Sequence, residues 1–383
     1  MIYFDNAATS FPKPNAVCRE VEKCIKNYCG NPGRGSHTLS RLSSEKVYET
    51  REILADFFGS PSPENVFFTY NDTYALNMII KGILKKGDHV IISDMEHNSV
   101  RRPIAALAEK GLISYSVFDT MCLSPERSTD GICANIRQLI RRETKMLIAA
   151  HASNICSASL PLTEIGALCK AHGIIFVVDA AQSAGHLPID MEKMNIDALC
   201  APGHKGLYGI QGSGFAILRD GILPDTIIEG GSGVNSLMSE MPDVSPERFE
   251  AGTQSVPCIA SLCEGVKFVK ERGLDDIHEH ECTLFRKLSE MLDSIPNVTV
   301  YAPQHVGSTL LFGVSGISPE KTADMLDSFG ICVRSGYHCS PLGHKTLGTL
   351  AEGAVRISFS PFNTMRELDF FYSSLKSIIN EKA

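Results

Sequence analysis

An α/β fold, with a large domain on a mainly parallel seven-stranded sheet and a smaller α+β C-terminal domain, is predicted by three observations. Between residues 65 and 218, short apolar runs alternate with helical periods. The run Ile174-Ile-Phe-Val-Val178 carries no charge, as a strand buried on both faces requires. From Pro257 the alternation gives way to two long helices and then short strands, a change expected of a second unit in a chain of 383 residues.

Residues 1–15 read as an extended arm, because Phe4-Asp-Asn-Ala-Ala-Thr-Ser10 is small and polar and runs into Pro12 and Pro14. A helix over 15–28 has Asn15 as its expected cap. The turn-forming loop 31–37 carries Arg34 and His37, and a helix over 44–58 follows. The large domain (16–256) then runs strand 65–69, helix 73–86, strand 89–93, helix 100–111, strand 113–117, helix 132–141, strand 145–150, helix 163–172 and strand 174–178, and strands 197–200 and 215–218 complete the sheet. Gly209-Ile-Gln-Gly-Ser-Gly214 is no dinucleotide loop, since it precedes a strand and does not open a helix. In the small domain (257–383) we expect helices over 257–272 and 277–292, strands over 298–301 and 309–314, and a helix after Ser318-Pro-Glu320. Strands at 332–334 and 354–359 follow, and Thr364-Met-Arg-Glu367 is the capping box of a last helix.

Hydrophobic residues make up 43% and charged residues 21%, ordinary for a soluble protein. A net charge of −8 argues against general nucleic-acid binding. No apolar run reaches transmembrane length, and Met1 leads into Ile-Tyr-Phe-Asp without a basic segment, so a cytoplasmic protein with no membrane partner is expected. Thirteen cysteines, an odd number with no Cys-x-x-Cys pair, make neither a disulfide framework nor a zinc site. Cys18, Cys24, Cys169, Cys263 and Cys282 fall in expected helices as small buried hydrophobes.

In parallel sheets ligands bind beyond the carboxyl ends of the strands, and those positions are polar here. They hold Asn71-Asp-Thr73 at a helix start suited to phosphate, Glu96-His97-Asn98, His151-Ala-Ser-Asn154, Asp179 with Gln182, and His204 with Lys205. Gly203 and Gly206 confine Lys205. An Asp and a Lys ending neighbouring strands suit pyridoxal 5'-phosphate: the Lys would join its aldehyde and the Asp would keep its ring nitrogen protonated. An ordinary strand-end ion pair is the plain alternative. In the small domain, Cys339 beside His338 in Arg334-Ser-Gly-Tyr-His-Cys339 suits an exposed nucleophile, or is simply a loop cysteine. Arg356, in an otherwise apolar strand, suits a substrate carboxylate.

Together these segments resemble the cysteine desulfurase and selenocysteine lyase-like enzymes among the class V aminotransferases, which have fold type I and use pyridoxal phosphate. The resemblance spans nearly the whole chain and is most specific at Asp179-Ala-Ala-Gln182, Gly203-His-Lys205, Phe249-Glu-Ala-Gly-Thr253 and the Arg-x-Gly-x-His-Cys segment. It implies that Lys205, His97 and Cys339 are catalytic, and that Asp179 pairs with the ring nitrogen. Gln182 and Asn154 would approach the phenolic oxygen. His97 would stack on the ring. Thr73, His204 and, from the neighbouring subunit of a homodimer, Thr253 would hold the phosphate, with Asp72 close by. Arg356, with Asn6 or Arg34, would orient the substrate carboxylate. The implied reaction converts L-cysteine to L-alanine, leaving a persulfide on Cys339 for an acceptor protein. The alternatives are selenocysteine lyase and a class V aminotransferase or lyase that does not use Cys339. The chain departs from the commoner pattern at Asp72, Tyr74 and Pro202, and an aspartate beside a phosphate is unfavourable unless it points away or caps the helix.

Overall fold

The computed structural model describes residues 1–33 and 35–380. In chain order, β1 (Ile2–Tyr3), α1 (Asn15–Asn27) and α2 (Thr38–Phe58) lead into β2 (Val66–Thr69), α3 (Asp72–Ile83), β3 (His89–Ser93), α4 (Asn98–Glu109) and β4 (Ser114–Phe118). Next come α5 (Thr129–Leu139), β5 (Thr144–Ala150), α6 (Leu162–His172), β6 (Ile175–Asp179), β7 (Ala198–Pro202) and β8 (Gly214–Leu218). The remainder comprises α7 (Val256–Arg272), α8 (Leu274–Asp293), β9 (Val298–Tyr301), β10 (Thr309–Val314), α9 (Pro319–Ser328), β11 (Ile331–Cys332), β12 (Arg334–Gly336), α10 (Pro341–Thr346), β13 (Ala354–Ser358) and α11 (Met365–Asn380).

The large sheet has the order β2-β8-β7-β6-β5-β3-β4; β8 runs antiparallel to both neighbours and every other pair is parallel. Its central strands are buried along nearly their whole length, which is why they read as apolar runs. Phe58, Phe176, Leu199 and Phe215 fill one face, and Phe67, Ile79, Val90 and Ile148 the other. Each such side chain contributes about 1.5–3 kcal/mol by leaving water. Helix α7 belongs with the first face: Ile259, Leu262 and Val266 join that core and the helix packs on α1 and α2.

A second, wholly antiparallel sheet has the order β12-β13-β10-β9. The N-terminal arm is docked onto it. β1 pairs in parallel with β11, Phe4 is fully buried against Phe359 at 5.9 Å, and Ala7 N–H donates to Ser358 Oγ at 2.8 Å.

Several local expectations need correction. Helix α1 is preceded by Pro14 as its cap residue, without a side-chain cap from Asn15. Helix α2 starts six residues early, at Thr38, because His37 Nδ1 accepts from Ser40 N–H and nucleates the first turn. Cys18 lies exposed on α1, whereas Cys24, Cys169, Cys263 and Cys282 are buried. The strand expected at 332–334 is divided at Val333: Cys332 pairs with the arm and Arg334 with β13, so the chain changes sheets there. The capping box holds, with Thr364 N–H donating to Glu367 Oε2 at 2.7 Å.

Candidate active site

The parallel register sets the carboxyl ends of β5, β6 and β7 side by side, with Ala150 opposite Asp179 and Asp179 opposite Cys200. Beyond them lies a cleft of about 510 Å³ whose lining includes Asp72, Thr73, His97, Asn154, Asp179, Gln182, His204 and Lys205. Eight expected residues from five strand ends thus meet at one place.

Lys205 is presented by a backbone that only glycine permits. A Cβ on Gly206 would stand 2.3 Å from the Ala184 carbonyl oxygen, and one on Gly203 2.3 Å from Ser213 Oγ. Asp179 Oδ1 accepts from Ala181 N–H at 2.9 Å, while Oδ2 has only a long contact, 3.5 Å, to Ser99 Oγ. Burial pushes the Asp179 carboxyl up and the Lys205 ammonium down, each toward its neutral form, while their mutual attraction opposes both shifts. His97 caps α4, its Nδ1 accepting from Ser99 N–H at 3.1 Å. Burial, then the positive charges of Lys205 and Arg334, lower its pKa to about 4. The ring is therefore neutral at pH 7 with its proton on Nε2.

Asp72 neither points away nor caps the helix. Asn71 is the cap of α3, its side chain accepting from Tyr74 N–H at 2.9 Å. Asp72 is 7% exposed, and its Oδ1 is buried without a partner. Burial, then the nearby Asp179, holds its carboxyl well above the usual range. That shift toward the neutral acid lessens the repulsion expected between this residue and a bound anion.

The other expected residues stand around the cleft. Gln182 Nε2 donates to the Ala7 carbonyl at 3.0 Å, tying the arm to the cleft wall. His204 Nδ1 lies 3.1 Å from Thr9 Oγ1, and burial lowers its pKa to about 4. Asn6 is buried and its amide is committed, donating to the Ser358 carbonyl at 3.0 Å and accepting from Phe11 N–H at 3.2 Å. Thr253 is exposed and outside the cleft lining. Arg34 lies outside the described residues.

Arg356 is 2% exposed; Nη2 meets Asp5 Oδ1 at 2.7 Å, Nη1 donates to the Asn154 carbonyl at 3.0 Å, and Nε is buried without a partner. Directly opposite on β12 stands Arg334, whose guanidinium makes no side-chain hydrogen bond or ion pair among the described residues. Sequence reasoning did not single out Arg334 as a carboxylate ligand. The signal available was its place in the Arg-x-Gly-x-His-Cys segment.

Cys339 is exposed on a turn where His338 has φ 49° and Cys339 φ 57°. Left-handed backbone costs a non-glycine residue about 1–2 kcal/mol. Hydrogen bonds from the large sheet hold the turn: Asn154 Nδ2 donates to the His338 carbonyl at 2.8 Å, Ser340 Oγ donates to Asn154 Oδ1 at 2.6 Å, and Asn98 N–H donates to the Cys339 carbonyl at 2.8 Å. The same α4 N-terminus that carries His97 therefore also carries the cysteine turn.

A family model for class V aminotransferases matches residues 2–371. A probable cysteine desulfurase of Pyrococcus abyssi is 32% identical over 99% of this chain and 94% of its own, and one of Synechocystis sp. is 32% identical over 99% and 91%. The apo structure of a cysteine desulfurase from Thermococcus onnurineus superposes with a TM-score of 0.89 at 31% identity, covering 99% of this chain and 95% of that one. The chain belongs to the class V aminotransferase family, among relatives named cysteine desulfurase.

Proposed function

We propose that this chain is a pyridoxal phosphate-dependent cysteine desulfurase, converting L-cysteine to L-alanine and passing the sulfur through a Cys339 persulfide to an acceptor. The observation that carries the reading is the tether of an exposed, strained cysteine turn to Asn154, in the wall of the cleft that holds Lys205 and Asp179.

The donor set fits the cofactor. Asp179 Oδ2 is the open acceptor for a ring N–H, the α3 amides with Thr73 and His204 form a cradle for phosphate, and Lys205 supplies the amine. Bound there, pyridoxal phosphate supplies an electron sink for negative charge at the substrate Cα. Lys205 takes the Cα proton, a task suited to an amine whose ammonium form burial disfavours. His97 offers Nε2–H as a neutral donor. Arg356 and Arg334 form the cationic end that receives the substrate carboxylate. The Cys339 thiolate then attacks the substrate sulfur. An S–S bond forms as the substrate Cβ–S bond breaks, the bonding pair stays on carbon, and protonation yields alanine.

The family resemblance assigns Thr253 to the phosphate of a neighbouring copy, and its exposure outside the cleft lining suits that role, so the enzyme is read as a homodimer. The fully exposed Leu237 and the exposed Met238 suit burial against that copy. Thirteen free cysteines suit a reducing, cytoplasmic setting. The test is alanine release by the cofactor-loaded protein from L-cysteine and from L-selenocysteine. Alanine from cysteine supports the reading, alanine from selenocysteine alone replaces it with a lyase, and alanine from neither refutes it.

A further inference from the structure

Behind the Cys339 turn lies a buried chain of donors that the reaction does not consume. His338 Nε2 stands 3.1 Å from the Arg334 carbonyl oxygen, which can only accept, so Nε2 carries the proton. His338 Nδ1 is then an acceptor, and it lies 3.1 Å from His344 Nε2, which must donate. That leaves His344 Nδ1 to accept from the Thr349 hydroxyl at 2.7 Å. The two ring planes are nearly parallel, inclined by 13°, with centroids 5.3 Å apart, a separation wide enough for an N–H···N bond between the ring edges. Burial lowers both pKa values, His338 to about 2 and His344 to about 4, so both rings are neutral and the donor order has one sense.

Every link bears on the strained turn. His338 itself has φ 49° and precedes the nucleophile, and its ring is pinned at both nitrogens. His344 is fully buried on α10; its ring meets Tyr337 edge-on, its N–H donates to the Ser340 carbonyl, and its side chain hydrogen-bonds to the turn through His338. We propose that His344 is a positioning residue for the nucleophile: by donating to His338 it holds the Cys339 turn in the left-handed conformation that presents the thiol. The inference rests on the reading of Cys339 as the residue that takes the sulfur.

The test compares His344→Leu, which removes the donor, with His344→Gln, whose amide N–H restores one, in the cofactor-loaded protein. In the absence of substrate, hydrogen exchange reads the Ser340 and Asn98 amides, which donate to the Tyr337 and Cys339 carbonyls. Exchange should rise about tenfold in His344→Leu and stay within about threefold of wild type in His344→Gln. With L-cysteine, exchange of the substrate Cα hydrogen, which reads Lys205, should be unchanged. Cys339 persulfide should build at least about tenfold more slowly in His344→Leu and recover in His344→Gln. Persulfide formation and amide exchange at wild-type rates in His344→Leu would overturn the proposal. So would a joint fall in Cα exchange and persulfide that glutamine fails to rescue, since that is general damage. A wild-type protein that makes no persulfide contradicts the desulfurase reading instead, and the amide exchange still judges the turn.

Discussion

Asn154 and His338, 184 residues apart in the chain, are joined by a 2.8 Å hydrogen bond from the side-chain amide of the first to the main-chain carbonyl of the second. It is one of two buried hydrogen bonds between the residue beyond the β5 strand end and the turn that carries Cys339. Because Asn154 Oδ1 also accepts from Ser340, Asn154→Leu removes two buried hydrogen bonds from one turn. At about 1–3 kcal/mol each, their loss should lower sulfur transfer by roughly 30-fold or more with the fold intact. Single-turnover alanine formation beside circular dichroism checks this, and a wild-type rate would count against it.

Gly206→Ala tests how Lys205 is presented. The new Cβ would meet the Ala184 carbonyl oxygen at 2.3 Å and the His186 ring at 2.6 Å. The backbone must shift, at a cost of about 1–3 kcal/mol. We expect a lower urea midpoint and less cofactor absorbance per protein; an unchanged spectrum and midpoint would contradict the packing argument.

Glu250→Ala tests the packing beneath the sheet edge. Glu250 Oε2 meets Arg51 Nη2 at 2.6 Å with both side chains nearly buried, and Glu250 Oε1 accepts from Phe68 N–H at 2.7 Å. Removing the carboxylate leaves a buried guanidinium uncompensated, which should destabilise by about 3–5 kcal/mol in urea unfolding. A loss below about 1 kcal/mol would mean the pair behaves as a surface one.

The pair His186 and Glu281, 2.8 Å apart, links the loop after β6 to α8 and should leave a pH signature. Burial alone would lower the His186 pKa, but Glu281 raises it above the ordinary 6.5. A raised folded pKa gives stability that is fully present below about pH 6.5 and lost as pH rises through the folded value. The stability difference between wild type and Glu281→Gln should therefore shrink as pH rises from about 6 to about 9. A difference independent of pH would mean that His186 is not charged in the fold.

The strand ends were legible because each buried strand announces itself as an apolar run and stops at its first polar residue. Asp179 after Val178 follows that rule, and so does His204, next to Lys205, after Pro202. What stayed hidden depends on pairings across long separations. Nothing local indicates that Asp5 takes the Arg356 guanidinium or that Asn6 spends its amide on the Ser358 carbonyl. The division of 332–334 between two sheets turns on the single residue Val333, too short a break for periodicity to register. His344 was silent because a buried histidine donating to another histidine looks, in sequence, like a helix-end polar residue.

The most direct measurement is mass spectrometry of the peptide containing Cys339 after the cofactor-loaded enzyme meets L-cysteine without reductant. We predict one added sulfur atom on Cys339, formed together with alanine, and neither product from Cys339→Ser. Alanine formed at the wild-type rate by Cys339→Ser, or added sulfur confined to another cysteine, would contradict the assignment of Cys339 as the sulfur acceptor.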